Sequence, residues 1–293
     1  MANQPSPLWT IESLLRWAMD DFRGRGIESP RLDAEVLLAR ALGTTRIQLI
    51  VDAKRPLSPD ELTRMREMVR RRRAREPVAY IVGEREFYGR TFRVDPRVLV
   101  PRPDTETLVD VALARTRALS LSVRVLDLCT GSGCVAITLA RERPTSCVSG
   151  SDLSPGALAV ARDNALRLGA YNVAWRQGDL FDAVPSPERF DLVTANPPYI
   201  AAGDFASLQA DVRDHEPRLA LEGGADGLSL LARVVAGAPA RLVSPGGVLA
   251  VEVGAGQAPA VVQLFEQAGL TAIEVQRDYA RIERVVSGML GRG

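Results

Sequence analysis

Residues 123–133 read Val123-Arg124-Val125-Leu126-Asp127-Leu128-Cys129-Thr130-Gly131-Ser132-Gly133, and this stretch decides the fold. Its mostly apolar first half predicts a buried strand, and the apolar residues 135–140 after the glycines predict a helix. A glycine-rich turn between a strand and a helix lets a ligand approach the backbone and exposes helix N–H groups to it. We therefore expect an α/β fold with a ligand loop at the carboxyl edge of a parallel sheet.

Acidic residues end three successive predicted strands, at Asp127, Asp152 and Asp179. Asp152 stands about 20 residues after the glycine loop, where a ribose-binding acid is expected. Asp179 could accept a hydrogen bond from an adenine amino group, with Leu180 packed on the ring. The loop also fits a dinucleotide fingerprint. Asp127, within reach of a charged ligand amine directly or through water, favours S-adenosylmethionine over NAD as the cofactor.

Composition excludes several classes of function. Of the 293 residues, 46% are hydrophobic and 25% are charged, as in a soluble globular protein of one or two domains. The net charge of +1 gives no global field for a polyanion, so nucleic acid is not expected as the main partner. No run approaches the ~20 apolar residues of a membrane span. Residues 1–7 lack a secretory signal pattern, and we expect no membrane attachment.

Cysteine and histidine usage limits which disulfides, metal sites and catalytic triads the chain could form. The three cysteines form no paired framework, which is typical of a reducing cytoplasm. No Cys/His cluster has zinc spacing, so we expect no metal, and a Ser-His-Asp triad would depend on His215, the only histidine. A structural role is favoured for His215 because its loop context is unspecific. Cys129 and Cys134 are expected to be packing residues.

Residues 1–77 are expected to form a small helical domain that recognises the substrate. Helices are predicted over 11–22, after Ser29-Pro30, over 46–51, and after the capping box Ser58-Pro59-Asp60-Glu61. The fourth helix carries an arginine run, made of Arg64, Arg66, Arg70, Arg71, Arg72, Arg73 and Arg75. A solvated helix face is favoured for this run, with a contact to RNA phosphates or an acidic partner as the alternative.

Residues 78–103 are expected to form a β-hairpin and a proline linker. The runs 78–83 and 85–94 alternate and are bracketed by glycines, which predicts the hairpin. Two prolines then fix an extended strap, and Asp104 or Thr105 could cap a helix predicted over 108–119. The strap either stiffens a domain junction or supplies a side chain to the site, from Arg102 or Glu106.

A second ligand site is predicted at Asn196-Pro197-Pro198-Tyr199, after the strand-like run 190–195. Prolines cannot donate to a ladder, so the strand ends there, while their carbonyls remain available as acceptors. With the Asn196 side-chain carbonyl, they can accept the N–H bonds of a flat amide or amino group, and Tyr199 offers a ring face. An ordinary proline turn is the simpler interpretation. The cofactor loop about 60 residues upstream, as a doubly wound sheet requires, favours a site instead.

The rest of the chain completes a doubly wound sheet. A charged loop over 211–222 precedes helices predicted over 227–242 and 257–268 and strands predicted over 248–253, 271–275 and 283–287. The last two strands are expected to form a closing antiparallel pair. This is the Rossmann-like, seven-stranded pattern typical of S-adenosylmethionine-dependent methyltransferases, in one domain from about 104 to 293.

Five motifs occur in one order: Pro101-Arg102-Pro103-Asp104-Thr105-Glu106, Asp127 to Gly133, Asn196-Pro197-Pro198-Tyr199, Glu216-Pro217-Arg218-Leu219-Ala220-Leu221, and Arg277-Asp278-Tyr279 with Glu283-Arg284-Val285. By these motifs the chain resembles the PrmC/HemK family, the peptide chain release factor glutamine N5-methyltransferases. The resemblance covers nearly the whole chain. The four-residue motif alone is shared with adenine N6 DNA methyltransferases and with ribosomal-protein glutamine methyltransferases. The full set is much more specific.

The resemblance implies methylation of the glutamine in the Gly-Gly-Gln motif of release factors 1 and 2. S-adenosylmethionine would be the donor and S-adenosylhomocysteine the product, without a metal. Together with the strand-end argument, the expected cofactor site comprises Asp127, Cys129, Thr130, Gly131, Ser132, Gly133, Asp152, Asp179, Leu180 and Asn196. The expected substrate site comprises Asn196, Pro197, Pro198 and Tyr199, with Arg102 and Glu106. Of these, catalytic roles are expected for Asn196, Pro197 and Tyr199.

Two departures from the family pattern concern the cofactor site. Cys129 replaces a glycine often found in the loop, and Leu180 stands where some relatives place tryptophan. The alternatives are glutamine methylation of a ribosomal protein, adenine N6 methylation of DNA, and a non-catalytic nucleotide-binding module that takes NAD. The DNA alternative requires a strongly basic groove, which the net charge does not favour.

Overall fold

The computed structural model describes residues 9–119 and 121–291, so the first eight residues of the expected N-terminal domain lie outside the described residues. The chain forms two compact units. The helical unit comprises Met1–Gly83 and Ala210–His215, and the sheet unit comprises Glu84–Gln209 and Glu216–Gly293. The domain boundaries expected at residues 77 and 103 stay predictions.

Helices and strands alternate along most of the sheet unit. The helices are α1 (Ile11–Gly24), α2 (Pro30–Leu42), α3 (Arg46–Val51), α4 (Pro59–Arg73), α5 (Val78–Val82), α6 (Glu106–Arg115), α7 (Cys134–Glu142), α8 (Pro155–Leu168), α9 (Ala210–Arg213), α10 (Ser229–Gly237) and α11 (Ala258–Gln267). The strands are β1 (Glu84–Phe87), β2 (Arg90–Arg93), β3 (Arg124–Leu128), β4 (Cys147–Asp152), β5 (Val173–Gln177), β6 (Leu192–Ala195), β7 (Val248–Glu252), β8 (Leu270–Arg277) and β9 (Glu283–Leu290). Among the described residues, no helix is long and apolar enough to cross a membrane.

The helical unit begins its helices where the sequence predicts. Helices α2 and α4 have proline at their first position. The capping box of α4 is confirmed: Ser58 N donates to Glu61 Oε2 at 2.8 Å, and Glu61 N donates to Ser58 Oγ at 3.3 Å. The apolar faces of α1, α2 and α4 meet in a core that includes Phe22, Leu37 and Met65.

The arginine run of α4 is tied into the helical unit. Buried Arg72 donates to Asp33 Oδ2 at 2.7 Å, and its Nη2 lies 2.7 Å from Asp211 Oδ2. Further ion pairs join neighbouring arginines to acids of the same unit: Arg70 to Glu67, Arg71 to Glu76, and Arg73 to Asp21. Because these charges are already neutralised, the structural interpretation of the run is favoured over a contact to phosphates.

The hairpin is shorter than the sequence predicted. Residues 78–82, expected to be a strand, form the helix α5. Pro77 precedes this helix, and Gly83 ends it in the left-handed conformation at φ +83°, so the apolar run makes one helical turn instead. Strands β1 and β2 pair antiparallel around Tyr88 and Gly89, both at positive φ, as a tight hairpin turn requires.

The predicted seven-stranded sheet is confirmed. Its strand order is β5-β4-β3-β6-β7-β9-β8, parallel from β5 to β7 and antiparallel at β9 and β8. The order reverses between β3 and β6, and ligands of such sheets bind at the carboxyl ends of the strands at this point. Leu128 and Ala195 are register partners there, so the glycine loop and the Asn-Pro-Pro-Tyr motif leave the sheet side by side.

Two local features position the loops at this edge. Gly150 lies inside β4, where an added Cβ would be 2.5 Å from Cζ3 of Trp175, so the indole ring needs a glycine beneath it. The prediction that Asp104 or Thr105 caps this helix is wrong: a 3-10 turn over Pro103–Thr105 leads into α6 without a side-chain cap. The Thr105 side chain is therefore available for the site.

Candidate functional site

A cavity of about 230 Å³ opens at the carboxyl edge of the sheet unit. The loops after β3, β4, β5 and β6 form its walls together with the strap before α6. Of the side chains expected at the site, those lining it are Arg102, Asp127, Cys129, Thr130, Gly131, Ser132, Asp152, Asp179, Leu180, Asn196 and Pro198. Four expected residues, Glu106, Gly133, Pro197 and Tyr199, are not among the described residues that line it.

Asp152 holds the glycine loop against β4. Its Oδ2 accepts from Gly131 N and its Oδ1 from Ser154 N, each at 2.9 Å. Cys129 adopts φ +55°, a conformation that favours glycine, and its side chain packs against the hydrophobic core. By resemblance, a glycine is often found at this position of the loop. The packing of the Cys129 side chain shows how a cysteine is accommodated there instead.

Asp127 anchors the loop to the neighbouring strand. It is 1% exposed, and its two oxygens accept from Thr130 Oγ1 at 2.6 Å and from Thr194 Oγ1 at 2.8 Å. Burial raises the pKa of Asp127 to about 6, while these two hydrogen bonds oppose the rise. The contact of Asp127 with a ligand amine stays a prediction, and its carboxylate already accepts hydrogen bonds from two hydroxyls.

Asp179 and Leu180 lie together on the cavity wall. Asp179 Oδ2 accepts from Arg233 Nη2 at 2.8 Å, and Leu180 is buried with φ +49°. Arg233 also lines the cavity. Sequence reasoning missed it because it comes from α10, and nothing in its local pattern distinguishes it from a surface arginine.

The Asn-Pro-Pro-Tyr motif is held from below by buried polar groups. Asn196 Nδ2 donates to Thr105 Oγ1 at 3.2 Å, and the Tyr199 hydroxyl donates to Glu252 Oε1 at 3.3 Å. Burial raises the pKa of Glu252 to about 7 and also raises the pKa of Tyr199. The Asn196 amide thus uses its N–H group on the protein side and keeps its carbonyl for another partner.

Glycines and one glutamine enclose the Tyr199 backbone. An added Cβ on Gly223 would lie 2.7 Å from both the Pro198 carbonyl oxygen and Tyr199 Cα. Gln257 Nε2 donates to the Tyr199 carbonyl at 3.0 Å, and Gln257 Oε1 accepts from Gly254 N at 2.8 Å. None of these supporting residues was found from the sequence, since each comes from a distant loop.

A buried glutamate fixes the proline strap. Arg102 Nη2 donates to Glu216 Oε1 at 2.6 Å, and Val100 N donates to Glu216 Oε2 at 3.1 Å. Glu106 instead accepts from the hairpin amide Tyr88 N at 2.7 Å. Of the two strap residues expected at the substrate site, the cavity therefore includes Arg102 alone.

The thiols and the histidine take no visible part in the cavity chemistry. Burial raises the pKa of Cys134 to about 12 and also raises the pKa of Cys129, so both stay protonated thiols. His215 Nε2 lies 2.8 Å from the Ala74 carbonyl oxygen within the helical unit. In the part of the chain that the structure describes, no cluster of His, Cys, Asp or Glu is arranged to hold a metal ion.

Two family models and several curated relatives match this chain. Residues 13–83 match the family model "PrmC N-terminal domain", and residues 125–214 match the model "Methyltransferase domain". A release factor glutamine methyltransferase of Geobacter sulfurreducens is 44% identical over 99% of this chain and 100% of its own. One of Cereibacter sphaeroides is 46% identical over 94% of this chain and 97% of its own.

A solved structure shares the fold. The Thermus thermophilus 16S rRNA N2 G1207 methyltransferase, solved with AdoMet and guanosine, aligns with a TM-score of 0.52 at 21% identity. The alignment covers 71% of this chain and 49% of that one. Because these curated relatives are 44% and 46% identical over nearly the whole chain, the chain belongs to the release factor glutamine methyltransferase family.

Proposed function

We propose that this protein transfers a methyl group from S-adenosylmethionine to the side-chain nitrogen N5 of a glutamine, in the Gly-Gly-Gln motif of release factors 1 and 2. S-adenosylhomocysteine is then the second product. The observation that carries the proposal is the Asn196 amide at the cavity wall, its N–H held by Thr105 and its carbonyl left as an acceptor. The names of the full-length relatives support the class of acceptor.

The cavity residues fit S-adenosylmethionine, which when bound supplies an electrophilic methyl group on sulfur. Asp152 stands at the end of β4, where a carboxylate accepts from ribose hydroxyls. Asp179 accepts from the adenine amino group with its second oxygen, since Arg233 holds only Oδ2. Leu180 would pack on the adenine ring, and the turn from Cys129 to Ser132 would let the cofactor approach the backbone.

The acceptor half of the site aligns a poor nucleophile. An amide nitrogen has its lone pair tied up in resonance, so its orientation toward the methyl group matters most. Asn196 Oδ1 and the Pro197 carbonyl accept the two N–H bonds of the glutamine, while Pro198 and Tyr199 fix the amide plane. The same acceptors stabilise the positive charge that develops on nitrogen. No general base is needed, because the proton leaves after the nitrogen has become positive.

The helical unit serves as the substrate-recognition module in this proposal. Its helix α3 exposes three apolar side chains on one face: Ile47 (75% exposed), Ile50 (71%) and Val51 (70%). An apolar face of this kind suits a protein partner better than a nucleic acid. The ion pairs of Arg70, Arg71 and Arg73 also reduce the positive charge that α4 offers to phosphates. The proposed action on release factors implies a cytoplasmic location.

Radiolabelled methyl transfer from S-adenosylmethionine tests the proposal. Three acceptors are compared side by side: release factor 1 or 2, large-subunit ribosomal protein, and duplex DNA. We expect label on the release factors and none on a variant in which the Gly-Gly-Gln glutamine is changed to alanine. Label on ribosomal protein or DNA instead would leave the fold in place and overturn the proposed partner.

A further inference from the structure

Arg284 is a buried arginine of β9 and part of the last of the five sequence motifs. Its side chain is 10% exposed, and its Nε donates to Asp278 Oδ2 at 3.0 Å. Asp278 is also buried and accepts from Ile282 N at 3.0 Å, in the turn between β8 and β9. A buried ion pair is weak evidence for stability, since packed apolar residues often replace one without loss. The further contacts of Arg284 point to a role in the site.

One nitrogen of the guanidinium reaches the turn at the end of the proline strap. Arg284 Nη2 lies 3.4 Å from Asp104 Oδ2. Asp104 and Thr105 are consecutive residues of the 3-10 turn over Pro103–Thr105. The Thr105 hydroxyl oxygen accepts from Asn196 Nδ2 at 3.2 Å. The ion pair between Arg284 and Asp104 therefore fixes the turn that carries the hydrogen-bond partner of Asn196.

A second nitrogen of the guanidinium holds the loop after β7. Arg284 Nη1 donates to the Val253 carbonyl oxygen at 3.3 Å, and Val253 N donates to the Arg284 carbonyl oxygen at 2.9 Å. The next residue, Gly254, donates its N–H group to Gln257 Oε1 at 2.8 Å. Gln257 Nε2 donates to the Tyr199 carbonyl oxygen at 3.0 Å. Hydrogen bonds and one peptide bond therefore connect Arg284 to the last residue of the Asn-Pro-Pro-Tyr motif.

We propose that Arg284 is a positioning residue for methyl transfer: its guanidinium ties together the turn that holds Asn196 and the loop that holds Tyr199. These are the first and last residues of the motif, so their spacing sets the pose of the acceptor amide. The planar fork of an arginine suits this role, because its donors point in fixed directions to several acceptors, whereas a lysine offers one point charge. The inference rests on the proposed function.

The test measures methyl transfer to release factor by Arg284→Lys. Lysine keeps a positive charge beside buried Asp278, but its single ammonium cannot also hold Asp104 and the Val253 carbonyl. We expect kcat to fall by about tenfold, because the two ends of the motif are no longer held together. The KM for release factor and the Kd of S-adenosylmethionine should change by less than about twofold, since alignment and not binding is lost. Neither Arg284 nor Asp104 is among the described residues that line the cavity.

Arg115→Lys is the matched control for a merely structural effect. The Arg115 side chain is 11% exposed, and its partners among the described residues, Ala272, Glu274 and Ser287, lie in β8 and β9. This variant makes the same substitution at a similarly buried arginine, but it should keep kcat within about twofold of the wild type, because it leaves the motif in place. An equal loss of kcat in Arg115→Lys and Arg284→Lys would overturn the inference.

Asp104→Ala tests the strap contact alone and leaves the buried pair of Arg284 and Asp278 intact. The Asp104 side chain is 46% exposed, so its ion pair contributes little to stability, and the melting temperature should stay close to that of the wild type. We expect kcat to fall by about fivefold in the wild-type background and by less than about twofold in Arg284→Lys, where the contact is already lost. A wild-type kcat in Arg284→Lys, or the same loss from Asp104→Ala in both backgrounds, would overturn the inference. Absence of transfer by the wild type itself would instead count against the proposed function.

Discussion

Gly223→Ala tests whether the position of the Asn-Pro-Pro-Tyr backbone sets the rate. The added Cβ would lie 2.7 Å from the Pro198 carbonyl oxygen and from Tyr199 Cα, against an ordinary limit of 3.4 Å. The motif backbone must therefore move by about 0.3–0.7 Å, and a 1 Å misplacement can cost ~10²-fold in rate. Gly223 N donates to the carbonyl oxygen of Ile200, the residue after the motif, at 2.8 Å. The loop that contains Gly223 is therefore bonded to the motif segment, and the two cannot separate freely.

We expect kcat for release factor methylation to fall on the order of tenfold in Gly223→Ala. The Kd of S-adenosylmethionine should change little, because Gly223 is not among the described residues that line the cavity. Gly203→Ala is the matched control, since a Cβ there would meet no atom within 4 Å. Steady-state kinetics and calorimetry of the two variants give the comparison. An unchanged kcat in folded Gly223→Ala would refute the argument that the motif is rigidly placed.

Three further changes test the supports of the cavity. Gly150→Ala should lower the free energy of unfolding by about 1–3 kcal/mol, because the added Cβ overlaps the Trp175 ring. Thermal unfolding measures the loss, and an unchanged melting temperature would contradict the overlap. Glu216→Ala leaves Arg102 without its buried partner and should lower the free energy of unfolding by about 3 kcal/mol. The loss in Glu216→Gln should be smaller. Urea unfolding compares the two variants, and equal losses would contradict a role of the ion pair. Burial raises the pKa of Asp127 from 3.8 to about 6, so its contribution to stability is full below pH 4 and is lost as pH rises to 6. Asp127→Asn should remove this dependence, worth about 3 kcal/mol, from unfolding measured between pH 4 and 7; an unchanged slope contradicts it.

The sheet and its ligand edge could be predicted because parallel strands impose a simple rule. Their carboxyl ends meet at one edge, so Asp152, Asp179 and Asn196 could be brought together from strand periodicity alone. The short helix α5 could not be predicted in the same way. Its five apolar residues fit a strand as well as one helical turn, and only the flanking proline and glycine decide between them.

The residues that hold the site residues in place were harder to predict from the sequence. Thr105 looked like a helix cap, and its true partner Asn196 is 91 residues away. Arg233 and Gln257 act through tertiary contacts that have no local pattern. Glu252 did carry a signal, since a carboxylate inside the apolar run 248–253 is out of place in a buried strand unless another group compensates it.

The central claim is that the Asn196 carbonyl orients the acceptor amide. The most direct measurement is the single-turnover rate of methyl transfer to release factor by Asn196→Ala, with S-adenosylmethionine binding measured by calorimetry on the same sample. We expect the rate to fall by at least about 10²-fold while the cofactor still binds, because an acceptor needed in the transition state is lost. A normal rate in this variant would contradict the account.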